Sequence, residues 1–301
     1  MEAKICESKL KDTLEFQINP DVFTWHKFAN FLPENSRNDF LWKNEDRRFR
    51  IGIYLNDQPG GISWGVINSE DENPDAFIDH LYVSPAFRSH GVGTALLQAT
   101  LDYVRDRGAE KVQIEHRTDT QEGRKFGQFL DRFGFSPPEF NQLEIEITPA
   151  GLKKTRWFHP YTLPSEFEII SWSKISQSDR EQLKRADWVP DILNPLKIEK
   201  YTDELSVVIK QKNDPVGWVI LLDEDGQVTC PTAYIHPKFQ PRGRILPVYY
   251  YTLSRAIQRG MKLLKYSVPV QFSSHIQFMK KHTKPYAKSF LPIDNRVLKL
   301  E

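Results

Sequence analysis

One stretch of this chain is written twice. "LYVSPAFRSHGVGTALL", Leu81 to Leu97, returns 152 residues later as "AYIHPKFQPRGRILPVY", Ala233 to Tyr249. At this single offset, without a gap, Tyr82 aligns with Tyr234, Pro85 with Pro237, Phe87 with Phe239, Gly91 with Gly243, and Arg107-Gly108 with Arg259-Gly260. Upstream, "NDQPGGISWGVI" resembles "NDPVGWVILL" after a small length change. The matched glycines and prolines fall where a chain turns, so what repeats is a fold unit and not a short motif. The 301 residues are thereby held to two copies of one unit, each long enough to bury its own core.

The better-preserved copy is the first. "RFRIGIYL" reads as a strand, "NDQPGG" as a turn, "ISWGVI" as a second strand, "NSEDENPD" as an acidic hairpin tip and "AFIDHLYV" as a third strand. After the glycine segment, Val92, Ala95, Leu96, Ala99 and Tyr103 recur at helical spacing, and Gly108 stands where a C-terminal helix glycine belongs. "KVQIE" reads as a buried strand, a helix follows over Arg124 to Phe133, and "LEIEI" alternates as a last strand. This order predicts an α/β fold, a mixed central β-sheet flanked by helices, repeated in two tandem units. The pattern breaks after Ile147. Thr148 to Pro164, with prolines at 149, 160 and 164, reads as the connection between a domain of residues 1–150 and a second of 151–301. Trp157 and Phe158 imply that this connection packs on something.

Composition removes several classes. Lys and Arg number 41 against 40 Asp and Glu, a net charge of +1, so the basic excess of a nucleic-acid binder is missing. No run of about 18 apolar residues predicts a membrane helix, and "MEAKICESKL" lacks the apolar stretch of a signal peptide. Cys6 and Cys230 are the only cysteines, which argues against a disulfide framework and fits a reducing cytoplasm. No metal is expected.

A strand that passes through a glycine-rich turn into a helix makes an anion site. The first helical turn carries unpaired N–H groups and the positive end of the dipole, and glycines let a phosphate approach the backbone closely. Arg88 adds a guanidinium suited to phosphate oxygens. The spacing Arg88-x-x-Gly91-x-Gly93 matches neither the Walker nor the Rossmann phosphate pattern.

These residues resemble the acyl-CoA segment of the GNAT superfamily of N-acetyltransferases. The family's pattern is an apolar strand ending near V-x-P, then Arg/Gln-x-x-Gly-x-Gly/Ala, then a helix. Val83, Pro85, Arg88, Gly91 and Gly93 match it, and "FLDRFGF" resembles the family's later L-Y-x-x-x-G-F signature. The resemblance implies acetyl-CoA as co-substrate. It implies that the backbone of Leu81, Tyr82 and Val83 lies along the pantetheine arm. The pyrophosphate would be held by Arg88, Ser89, His90, Gly91, Val92, Gly93 and Thr94. It further implies a free amine that attacks the thioester after losing its proton to a general base.

Asp79 is the candidate base. It lies nine residues before Arg88, where several family members place a catalytic side chain, and unbroken strand alternation would put it on the face of Leu81 and Val83. His80 would then face the other side. Glu115, on the next strand, is a lesser candidate for amine binding. The family's tyrosine acid falls at Leu130, so a phenol cannot protonate the leaving thiolate from there.

In the second copy Gln240 and Gly243 persist, but Ile245 replaces Gly93, and Arg244 and Pro247 alter the turn. A β-branched residue there crowds a pyrophosphate, so this copy reads as a degenerate unit without acyl-CoA. Trp188, Trp218 and Tyr249 to Tyr251 would serve packing or the substrate. Tandem chains of this length resemble, in architecture, mycothiol synthases and the antibiotic self-resistance acetyltransferases of the zwittermicin and paenilamicin type. The expected acceptor is therefore a primary amine of a small cationic molecule. Glu70, Asp71, Glu72 and Asp75 on the hairpin would steer it. A protein N-terminal or lysine acetyltransferase and a non-catalytic acyl-CoA module are the alternatives. An open groove would favour the former, and a thioester site without titratable groups the latter.

Overall fold

A computed structural model describes residues 14–19, 22–32, 47–68 and 74–300. The chain forms two compact units. The first holds the described residues up to Glu139 together with the segment from Asp294, and the second holds Phe140–Ile293. This differs from the boundary at residue 150 expected from the sequence.

The first unit is built on a sheet of β1 (Leu14–Ile18), β2 (Arg48–Leu55), β3 (Gln58–Asn68), β4 (Asp75–Val83), β5 (Lys111–His116) and part of β12 (Ser289–Lys299), adjacent in that order. All neighbours run antiparallel except β4 and β5. The helices are α1 (Val22–His26), α2 (Val92–Arg105) and α3 (Gln121–Asp131). Alternation in β2 sends Phe49, Ile51, Ile53 and Leu55 into one core, where α2 delivers Leu96, Leu97 and Val104. The opposite face carries Tyr54, Ile62 and Trp64, covered by Trp25, Phe28 and Leu32. Gly108 follows α2 at φ +82°, which a glycine takes without strain. Helix α3 starts three residues before the expected Arg124, because the Thr120 hydroxyl accepts a hydrogen bond from the Gly123 N–H (3.0 Å).

The second unit repeats this plan with β6 (Glu139–Ile147), β7 (Phe167–Ser171), β8 (Val207–Gln211), β9 (Asp214–Glu224), β10 (Gln227–Ile235) and β11 (Leu263–Pro269). Its sheet order is β6-β11-β10-β9-β8-β7, and again one pair, β10 with β11, is parallel. Helices are α4 (Pro149–Leu152), α5 (Gln177–Arg185), α6 (Leu246–Gln258) and α7 (Ser273–His282). The offset of 152 residues carries β4 onto β10 and the start of α3 onto the start of α7. Trp188 and Trp218 stack in this unit's own core (5.8 Å between centroids).

The boundary moves because each unit takes its last strand from the other half of the sequence. Strand β6 pairs with β11, while residues 294–299 of β12 pair with β5. Periodicity reveals that "LEIEI" is a strand but not which edge it joins. The stretch after Ile147 is no free connection either. Thr148 caps α4 by accepting from the Gly151 N–H (3.2 Å), Leu152 is buried, and buried Trp157 donates its indole N–H to Thr283 Oγ1 (2.9 Å). Leu152 and Trp157 belong to the second unit's core. Among the described residues no helix is long and apolar enough to cross a membrane.

Candidate functional site

Strands β4 and β5 begin as a parallel pair and then part. Their register runs from Asp75↔Lys111 to Ile78↔Ile114 and stops. Opposite β3, one extra residue enters β4 at the same point: Gly65 pairs with Ile78 and Trp64 with His80, leaving Asp79 as a β-bulge. Beyond it, the Ser84 N–H donates to Gly60 O (2.9 Å). Backbone groups alternate in direction along a strand, so Tyr82 turns its N–H and C=O to β3. Leu81 and Val83 turn theirs to the open side, where β5 has left.

The bulge corrects the expected facing of Asp79. Ala76 and Ile78 enter the α2 core, and so do Leu81 and Val83, three residues further on. The groups that act on the Asp79 carboxylate are Arg48 and Glu115. Arg48 lies over Trp64 (5.8 Å) on the opposite face. Glu115 alternates with the core residues Val112 and Ile114. Asp79 therefore shares the face of Trp64 and Glu115, not that of Leu81 and Val83. Its side chain meets solvent, yet it stands at the closed end of the splay, where protein displaces much of its hydration. That burial pushes its carboxyl up to about 6, Arg48 opposes the shift, and Glu115 adds to it. His80, on the same strand, donates Nε2–H to Phe31 O (3.0 Å) and stacks on Tyr82, a structural arrangement.

From β4 the chain enters the glycine turn. Ser89 takes φ +65° and Gly91 φ +80° with ψ −9°, and α2 begins at Val92. The first helix-closing bond is Ala95 N–H to Gly91 O (3.0 Å). Among the described residues, the N–H groups of Ser89, His90, Gly91, Val92, Gly93 and Thr94 make no hydrogen bond of good geometry. Six donors at a helix N-terminus form a nest for an anion. A Cβ added to Gly91 would meet nothing within 4 Å, so the nest opens onto free space. The residues present thus fit an acyl-CoA, with a backbone edge for an amide-bearing arm and a nest for its diphosphate. Arg88, exposed, donates Nε–H to Val83 O (3.1 Å) and lies 5.7 Å from the Tyr82 ring.

Three further placements bear on the chemistry. Leu130 is fully buried in the core, so no polar group acts from that position. Asp75 accepts from Asn68 Nδ2 and Gln113 Nε2 (2.9 and 2.7 Å) and is bound into the sheet. Glu70, Asp71 and Glu72 lie outside the described residues, as does Cys6.

The second unit keeps the architecture and loses the parts. The β10–β11 register stops at Cys230↔Tyr266, β10 bulges between Thr229 and Thr232, and His236 N–H donates to Val216 O (2.7 Å) as Ser84 does to Gly60. Gln240 Nε2–H caps Ile235 O (2.9 Å), as Arg88 caps Val83. But Pro231 stands where the first unit has Asp79. In the turn Pro241 has no N–H, and Gly243, Arg244 and Leu246 donate to Gln240, Phe239 and Gly243 carbonyls. The Ile245 N–H makes no such bond, as the donors of the first unit make none.

The sequence of residues 19–135 matches the Acetyltransferase (GNAT) family, whose co-substrate is acetyl-CoA. No curated protein matches the chain in sequence. Among solved structures, a GCN5-related N-acetyltransferase from Sphaerobacter thermophilus is 14% identical, with a TM-score of 0.67 over 95% of this chain and 96% of that one. A tandem GNAT protein from the clavulanic acid biosynthesis pathway is 11% identical, with a TM-score of 0.72 over 95% and 98%. A putative acetyltransferase from Pyrococcus horikoshii is 16% identical, with a TM-score of 0.57 over 99% and 93%. At these identities the likeness is one of fold, and it extends over both units. Residues 19–135, within the first unit, thus match the GNAT acetyltransferase family, and the chain is an acyltransferase.

Proposed function

We propose that the first unit transfers the acetyl group of acetyl-CoA to a primary amine of a small, cationic molecule, with Asp79 as the base. One observation carries this reading: a carboxyl raised to about 6 stands at the bulge where β4 and β5 part, next to the backbone edge of Leu81 and Val83 that β5 has left. An amine arrives as an ammonium, without a lone pair. A base of pKa about 6 is ionised at neutral pH, yet far more basic than an ordinary carboxylate, so it accepts the proton with a smaller uphill step. The nitrogen then attacks the thioester carbonyl, the C–N bond forms and the C–S bond breaks. With leucine at 130, the thiolate takes its proton from water. Glu115 adds a second carboxylate to the recess, which favours a cation. The diphosphate of the co-substrate would rest on the N–H groups of Ser89 to Thr94, and the amide arm on Leu81 and Val83.

The nest in the first unit and its loss in the second give one acetyl-CoA per chain. An antibiotic as acceptor, in self-resistance within the cytoplasm, is the specific case that the tandem architecture supports. The test is acetyl-CoA turnover across a library of small amines and of peptides, read by mass spectrometry. Acetylation of polyamine-like molecules supports the reading, and turnover of peptides alone overturns it.

A further inference from the structure

The second unit has lost base and nest but not its cleft. Between the diverging ends of β10 and β11 lies a cavity of about 280 Å³, walled by α6 and α7 and lined mainly by apolar and aromatic side chains. It falls at the low end of the size of small-molecule sites, and it is about twice the engineered cavity that holds benzene. Here β10 and β11 stay parted although the turn beside them no longer offers an anion nest, so the retained cleft needs a reason.

We infer that this cavity is a binding site for a neutral, largely apolar small molecule of roughly ten to twelve non-hydrogen atoms bearing one hydroxyl or amide, and not for an acyl-CoA. Three observations carry this. First, the anion machinery is gone: Pro241 lacks an N–H, and Gly243, Arg244 and Leu246 have turned theirs inward. The Leu246 side chain lies 3.4 Å from where a Gly243 Cβ would stand, so that turn is filled and not open. Second, no carboxylate reaches the cavity from the bulge, since Pro231 occupies it. Third, the titratable groups lining it are held neutral by burial. His275 is pushed down to about 4, the Cys230 thiol up to about 12, and the Tyr249 and Tyr266 phenols are raised. A site whose groups all stay uncharged offers nothing to repay the desolvation of a charged ligand.

Polar recognition remains for one group. By the alternation set at His236, the backbone N–H and C=O of Ala233 turn to the cavity side. Tyr249 has no hydrogen-bond partner among the described residues, whereas Tyr266 already donates to Met279 Sδ (3.3 Å). One hydroxyl or amide on the ligand satisfies these sites.

The test uses the full chain and calorimetry with three neutral probes, indole, 1-octanol and N-hexylacetamide, against acetyl-CoA. At least one neutral probe is expected to bind with one site per chain. Ala233→Leu, which fills the cavity, and Ser274→Trp, which bulks its exposed rim, should each weaken it at least tenfold while the melting temperature holds. Gly91→Val, in the other unit, should leave it unchanged. The inference fails if no probe binds, if binding survives both cavity variants, or if a second acetyl-CoA per chain is lost in Ala233→Leu. None of these outcomes depends on turnover, so the failure of the catalytic reading is seen separately.

Discussion

Replacing Asp79 by asparagine should make the protein more stable and less active, and both effects follow from one cause. The carboxyl is raised from its ordinary range to about 6, chiefly by burial. A shift of roughly two units is about 3 kcal/mol at 1.36 kcal/mol per unit. The side chain also meets solvent, so screening reduces this to on the order of 1 kcal/mol. The sign is fixed by linkage. The folded group binds its proton more tightly than the unfolded one, so its favourable contribution is complete below about pH 4. It is lost as pH rises through about 6. At pH 7.5 the charged form costs stability, and Asp79→Asn removes that cost, raising Tm by roughly 2–4 °C. Below pH 4 wild type and variant should converge. In activity the variant loses its base, so kcat/KM should fall about 10²-fold or more. The acidic limb of the wild-type pH–rate profile, with an apparent pKa near 6, should disappear. Denaturant melts at pH 4 and 7.5, with initial rates from pH 5 to 9, measure both. Turnover within about threefold of wild type, under roughly 0.7 kcal/mol of barrier, would falsify the assignment. A loss confined to KM would leave Asp79 a binding residue only.

Gly93→Ile, which puts at this turn the β-branched residue found in the second unit, should weaken acetyl-CoA at least tenfold by calorimetry, whereas Gly93→Ala, whose Cβ would make only ordinary contacts with Val83 Cγ2 (3.5 Å) and Phe129 (3.8 Å), should bind within about threefold of wild type. Gly91→Val should abolish that binding and cost about 1–3 kcal/mol in a denaturant melt, since the backbone there has φ +80°. His116 Nε2 accepts from Arg296 Nε–H (3.0 Å), so it must be unprotonated, and burial and the nearby Arg296 charge hold its pKa below the ordinary value. That contribution is complete above about pH 6.5 and is lost as pH falls, so Tm should drop between pH 7 and 5. His116→Gln, which keeps an acceptor, should flatten the drop.

Much of this was legible in the sequence. The offset of 152 residues and its glycines gave the two units, and Arg88-x-x-Gly91-x-Gly93 located the nest. What escaped was the bulge, although the sequence carried two signs of it. Apolar core positions step by two from Ala76 to Ile78, by three to Leu81, and by two again to Val83. The partner of Asp79 at the repeat offset is Pro231, and a proline inside a strand marks a bulge or an edge. Arg48 escaped for a different reason. Its role depends on β2 lying beyond β3, two strands from β4, a tertiary fact that no local pattern encodes. The exchange of last strands escaped likewise, since β6 and β12 have equivalent patterns and either could close either sheet.

That exchange decides how the first unit can be isolated. A chain cut after residue 150 keeps every family motif and the whole site, but it lacks residues 294–299. It then exposes the edge of β5 along Lys111–His116. Arg296, whose side chain is 6% exposed, no longer bridges His116 and Asp131. Thr118 loses Asp294. Ser136 loses Val297, with which it exchanges two bonds (Ser136 N–H to Val297 O, 2.8 Å, and Val297 N–H to Ser136 Oγ, 3.0 Å). At about 1–3 kcal/mol for each group left without a partner, these losses rival the whole stability of a domain. Residues 1–150 alone should therefore fail to fold, and their inactivity would not test the catalytic reading. Because Ser136 and Val297 are within hydrogen-bond distance, a short flexible linker from residue 139 to residue 294 restores the missing strand. That rearranged chain should melt cooperatively and bind acetyl-CoA, as circular dichroism and calorimetry would show. If the simple 1–150 fragment melted within about 5 °C of the full chain, the last strand would be dispensable, and the argument from β12 would be wrong.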